Sequence, residues 1–147
     1  MNLITMKNLQ KGFTIIELLV VIAIIAVLAA IVLVNVTQYI NKGKDAAIKG
    51  NLATALTDSA VHFDSNGAYN SPDFCASSQW TNISTAITNA GGTTVTCKSS
   101  ATQWCACSQE KGTTTTSYCV DSTGTVKETA SSACNTDTCK AGSIVCS

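Results

Sequence analysis

The 147-residue chain has no arginine, one proline (Pro72), one histidine (His62) and no cysteine before position 75. Nine lysines balance nine acids. A near-neutral chain without arginine is a poor electrostatic footprint for nucleic acid, which argues against that class of partner. The single histidine leaves no serine–histidine–acid set. The acids are scattered singly, and no glycine loop has the spacing that cradles phosphate. We therefore expect no catalytic residue, no cofactor and no enzymatic activity. The cysteines include no Cys-x-x-Cys pair, which argues against a zinc site.

What the chain does have is concentrated at its N-terminal end. Leu18–Val34 is a run of seventeen apolar residues. It spans about 25 Å as a helix, or about 33 Å counted from Phe13, which is enough to cross a bilayer core. A secretory signal fits poorly: its apolar region is normally about 7–15 residues and leads into a small-x-small site. Glu17 also stands inside the apolar block. A charge at the centre of a membrane helix costs on the order of 2.5–3.5 kcal/mol, so an acid there is a functional candidate by default. Its unremarkable alternative is a carboxylate reaching the headgroup layer from one end of the span.

The stretch from Gly12 to Ile31, with Lys11 before it and Phe13-Thr-Ile-Ile-Glu17 at its start, resembles the N-terminal signal of type IV pilins and type II secretion pseudopilins. The resemblance implies a prepilin peptidase that cuts after Gly12 and N-methylates Phe13. It also implies an inner-membrane assembly platform, and a helical filament built from copies of the chain and other pilins. Glu17 would guide assembly, pairing with the new α-amine of a neighbouring subunit, since within one helix the two meet only imperfectly. Many pilins carry a proline near the end of this block, whereas this chain has Val32-Leu33-Val34. Further along, Phe63, Asp64, Asn66, Gly67 and Tyr69 resemble the element that closes the long helix in major pseudopilins and several pilins.

Orientation follows from charge and cysteine. Lys7 and Lys11 favour a cytoplasmic N-terminus, while Lys42, Lys44 and Lys49 beyond the span argue the other way. All eight cysteines (Cys75, Cys97, Cys105, Cys107, Cys119, Cys134, Cys139 and Cys146) lie within 72 residues. That is the density of a disulfide scaffold in an oxidising compartment. Eight cysteines allow 105 pairings, so connectivity stays open. Cys105 and Cys107 share one side of a strand and should bond to other elements rather than to each other. The expected location is a single-pass inner (cytoplasmic) membrane protein with its head outside, which then enters an extracellular or periplasmic filament. Before assembly the apolar helix sits in the lipid bilayer.

The fold expected is α+β and pilin-like: a long helix, membrane-spanning in its first half, packed by a small antiparallel sheet with disulfides. The divisions are a leader at 1–12, a filament-core helix at 13–34, an amphipathic continuation at 35–65, and a disulfide-rich head at 66–147. Apolar residues at helical spacing predict one helix from Phe13 to Asp64, ended by Ser65-Asn66-Gly67. Gly43 and Gly50 would mark bends or a close approach of the head. A short helix is expected at Trp80–Asn89. Strands are expected at Thr93–Cys97, Thr102–Cys107, Thr115–Asp121 and Thr125–Glu128, with residues 129–147 irregular. The sheet should bury Leu52, Leu56 and Phe63. His62 reads as a helix residue at the head boundary. Two functions fit: a structural subunit of a type IV filament, or a membrane-anchored, disulfide-rich binding module that does not polymerise.

Overall fold

The computed structural model describes residues 12–112, 115–129, 134, 139–140 and 143–146. The chain divides into two units, one ending at Thr37 and one beginning at Gln38. Helix α1, Ile15–Asn66, contributes to both. In the first unit every described side chain from Gly12 to Leu33 is exposed. The stretch is apolar on all sides, the pattern of a helix surrounded by lipid or by other apolar helices. It is long and apolar enough to cross a membrane.

In the second unit α1 becomes one-sided. Ile48, Leu52, Ala55, Ser59 and His62 are buried, at spacings of three and four that line one helix face. Gly67, at φ 73°, ends the helix in the left-handed region, and its N–H donates to the Phe63 carbonyl at 2.7 Å. Glycine reaches this conformation without a Cβ clash. The expected end at Asp64 is therefore two residues early.

A short 3₁₀ turn, Phe74–Ala76, precedes α2, Ser78–Ala90. Ser77 caps α2 by accepting from the Trp80 N–H, and Gly91 closes it at φ 101°. Trp80, Ile83 and Ile87 face the core. Four strands follow: β1 (Thr93–Ser99), β2 (Trp104–Gln109), β3 (Ser117–Asp121) and β4 (Val126–Thr129). They form an antiparallel meander in sequence order. Two more, β5 (Cys139–Lys140) and β6 (Ser143–Cys146), pair as a separate antiparallel ribbon.

The central strands β2 and β3 are largely buried on both faces, and their alternation sorts the side chains. Trp104, Ala106 and Val120 join Ile48, Leu52, Ala55, Phe74 and Ile87 in one core. Cys105, Cys107 and Cys119 point to the opposite side, into a second cluster with Cys134 and Cys139. Gly92 is pressed into the first core. A Cβ there would lie 2.6 Å from both the Ile87 side chain and the Ser108 hydroxyl.

Three expectations are corrected. Phe63 is not in the core: it is 37% exposed and stacks on Tyr69 at 4.7 Å between ring centroids. By spacing it continues the stripe, four residues past Ser59, but at this end of α1 it is His62 that turns inward, onto Phe74, while Phe63 stays at the surface beside Tyr69. Gly43 and Gly50 face open space, so neither marks a close approach of the head. The segment 129–147 is not wholly irregular, because β5 and β6 pair within it. A two-residue strand leaves no alternation to read in sequence. Apart from Thr129 and Cys134, the remainder of that segment lies outside the described residues.

Leu52 is fully buried and Leu56 only partly so. Leu52→Ala should destabilise the head by about 2–5 kcal/mol, Leu56→Ala by less, and Phe63→Ala by least. The fluorescence of Trp80 and Trp104, followed through denaturation in detergent, reports this order. A Phe63→Ala cost equal to that of Leu52→Ala would contradict the core assignment.

Candidate functional site

The junction at the start of α1 is built from a local cap. Gly12, Phe13 and Thr14 are non-helical and exposed, and the helix begins at Ile15. Lys11 and the leader before it lie outside the described residues. The Thr14 backbone N–H donates to Glu17 Oε2 at 2.9 Å, and the Thr14 hydroxyl donates to the same oxygen at 2.8 Å. In return the Glu17 N–H donates to Thr14 Oγ1 at 3.2 Å. This reciprocal arrangement is a capping box, which satisfies helix-end donors that otherwise have no intrahelical partner. Its Thr-x-x-Glu signature stands in the sequence at Thr14–Glu17. The structure thus gives the carboxylate a partner in its own chain, and leaves the Gly12–Phe13 bond outside the helix and accessible.

The head is held by four disulfides: Cys75–Cys97, Cys105–Cys139, Cys107–Cys134 and Cys119–Cys146. Cys105 and Cys107 share a strand face and bond to two different positions in the C-terminal segment. Three of the four bridges join that segment to the outer face of the sheet. The sequence separations run from 22 to 34 residues. Each closure of that size restricts the unfolded chain by about 3–4 kcal/mol in the chain-entropy description. Cys105, Cys119 and Cys146 bring three sulfurs within 4.8 Å of one another, but each is already committed to a disulfide.

Polar contacts complete the attachment of α1 to the sheet. Asp45 Oδ1 accepts from the backbone N–H groups of Lys111 and Gly112 at 2.7 and 3.0 Å, fixing the β2–β3 loop against the helix. A Cβ on Gly112 would collide with that carboxylate. The Lys49 ammonium pairs with Glu110 at 2.9 Å and also with Glu128, and lies 5.3 Å from the centroid of the Tyr118 ring. Partial burial opposes the Lys49 charge, but hydrogen bonds to Glu128 and Glu110 and their negative charges outweigh it. The ammonium is held well above the ordinary lysine range. On the opposite face, the buried Asp121 carboxylate accepts from the Thr123 N–H and hydroxyl, and its other oxygen accepts from the Cys146 N–H at 2.8 Å. His62 Nε2 donates to the Pro72 carbonyl at 2.9 Å, with its ring edge-on to Phe74. His62 thus ties α1 to the segment that follows it.

A family model described as the prokaryotic N-terminal methylation motif matches residues 7–33. The chain is 52% identical over 50 residues to a type IV major alpha-pilin of Moraxella bovis, covering 34% of this chain and 31% of that protein. It is 43% identical over 68 residues to a type IV major fimbrial protein FimA of Dichelobacter nodosus, covering 46% and 42%. It is 39% identical over 66 residues to the type IV wide pilus major component PilA4 of Thermus thermophilus, covering 45% and 50%. The matches therefore span about a third to a half of these relatives. No solved structure matches the chain. The N-terminal part of the chain thus carries the methylation motif and is similar to the corresponding part of type IV major pilins.

Lys49 raised by its carboxylate partners stabilises the fold from neutral pH up to about 10.4, the unfolded lysine value. That contribution fades only as pH climbs through the higher folded value. Lys49→Met should therefore lower the thermal midpoint by a similar margin throughout the neutral and mildly alkaline range. A margin that vanishes between pH 7 and pH 9 would contradict the pairing.

Proposed function

We propose that the protein is a structural subunit of a type IV filament, either a pilus or a type II secretion pseudopilus. In this reading a prepilin peptidase removes residues 1–12 and methylates the new N-terminal Phe13. Residues 13–34 first lie in the inner membrane, with the N-terminus cytoplasmic and the cysteine-rich head outside. The assembly platform then draws the subunit into a filament among copies of itself and other pilins. The observation that carries the reading is the Gly12–Glu17 junction at the head of an exposed, wholly apolar helix. The motif match and the relatives, themselves described as major pilins and fimbrial proteins, support it.

The chemistry of assembly follows from what this end of the chain offers. Cleavage creates a charged amine at Phe13, and Glu17 carries the opposite charge one turn further on. In a low-dielectric filament core two such charges attract strongly when paired, and are costly when left alone. Pairing between staggered neighbours would select one axial register. The capping box holds Glu17 in the isolated subunit, so assembly exchanges Thr14 donors for a neighbour's amine or adds that amine to them.

Two measurements separate a filament subunit from a plain anchored module. The intact mass of the membrane-extracted protein should show loss of residues 1–12 and one added methyl group on Phe13. A retained leader, or cleavage elsewhere, would count against the filament reading. Glu17→Ala should leave membrane insertion unchanged and reduce the yield of sheared filaments by about tenfold or more, the loss of a charge pair in low dielectric. A normal filament yield from that variant would remove the register role.

A further inference from the structure

The outer face of the sheet holds two disulfides in contact. In the β2–β3 register Cys105 lies opposite Asp121 and Cys107 opposite Cys119, so Cys105 and Cys119 are diagonal neighbours on adjacent strands. Their sulfurs are 3.5 Å apart and not bonded to each other. Cys105 is bonded to Cys139 and Cys119 to Cys146. Those two partners are themselves directly opposite one another in the β5–β6 ribbon. The four cysteines thus form a closed quartet. Two bonds run between sheet and ribbon, and the two unbonded sides run within the sheet and within the ribbon.

Burial makes the four sulfurs inequivalent. Cys105, Cys119 and Cys139 are fully buried, whereas Cys146 is half-exposed. A thiolate arriving from solvent meets Cys146 first. Displacement there releases the one sulfur that already touches the neighbouring disulfide.

We propose that this quartet is a thiol–disulfide exchange site, at which a small-molecule thiol acts catalytically to move two bonds and untie the C-terminal ribbon from the sheet. The incoming thiolate bonds to Cys146 Sγ, the Cys119–Cys146 bond breaks, and Cys119 leaves as a thiolate. Cys119 then bonds to Cys105 Sγ, the Cys105–Cys139 bond breaks, and Cys139 leaves as a thiolate. Cys139 attacks Cys146 in the mixed disulfide and expels the original thiolate. Two disulfides are consumed and two are formed, no electrons are gained or lost, and the thiol is regenerated. The products are Cys105–Cys119 within the sheet and Cys139–Cys146 within the ribbon.

The exchange has a structural consequence. Three bridges hold the C-terminal segment before it, and only Cys107–Cys134 does so afterwards. The hydrogen bond from the Cys146 N–H to Asp121 then becomes the ribbon's remaining described polar tie to β3. A head surface can thereby be remodelled without net reduction. The inference concerns the folded head and does not depend on filament assembly.

The test is a non-reducing peptide map of the full-length protein after incubation with substoichiometric reduced glutathione and quenching in acid. The expected result is loss of Cys105–Cys139 and Cys119–Cys146 with matching gain of Cys105–Cys119 and Cys139–Cys146. Cys75–Cys97 should be unchanged, and the two new pairs should exceed any other non-native pair by about tenfold, because the Cys105 and Cys119 sulfurs already touch and Cys139 and Cys146 are paired residues of one ribbon. The double variant Cys119→Ser/Cys146→Ser should leave Cys105–Cys139 inert to the same treatment. An unchanged wild-type map, a random mixture of pairings, or simple loss of all four disulfides would overturn the proposal. The wild-type map decides the matter even if the double variant fails to fold.

Discussion

Residues 104–107 read Trp-Cys-Ala-Cys, and the alternation commits the two faces of β2 to different partners. Trp104 and Ala106 meet Ile48, Leu52 and Ala55 of α1. Cys105 and Cys107 turn the other way and are bonded to the C-terminal segment. A slip of one residue would place cysteines against the helix and a tryptophan against the ribbon. The register of one six-residue strand therefore fixes both layers of the head. β3 repeats the division with Val120 on the helix side and Cys119 on the other.

This division explains three of the head's four disulfides. One face of the sheet is covered by apolar side chains in the ordinary way. The other is covered by a ribbon of a few residues, whose apolar surface is too small to hold it in place. Covalent bonds supply the attachment, and Asp121 adds a directed polar one. The helix side relies on charge instead at its edges, where Lys49 bridges Glu110 and Glu128 and where Asp45 receives the β2–β3 loop. The first unit is different in kind. Its described apolar side chains are exposed, the pattern of a helix covered by lipid or by other apolar helices.

Much of this was legible in the sequence because it rests on period and punctuation. The apolar run, the helix end at Gly67, and the four strands of the meander each announce themselves by spacing or by turn residues. Glu17 stood out because a carboxylate in an apolar block is costly. What escaped notice depends on partners distant in sequence. Nothing local marks Lys49 as the residue that meets Glu110 and Glu128, or Asp121 as the anchor for Cys146. Phe63 reads as a core residue by type and spacing, yet at its end of α1 His62 takes the inward position. The pairing of β5 with β6 was hidden because its shorter strand has only two residues. Disulfide connectivity is not legible for a different reason: it is a property of the folded sheet and not of cysteine spacing.

The central claim is that the exposed apolar unit exists to be covered by its own kind in a filament. Its most direct test is electron microscopy of sheared material from cells lacking the gene and from cells overproducing the chain, with gold-labelled antibody against the cysteine-rich head. The account predicts filaments decorated along their length in the overproducing cells, and none so decorated in the deletion. Head antigen confined to the membrane fraction, with unlabelled filaments or none at all, would contradict it.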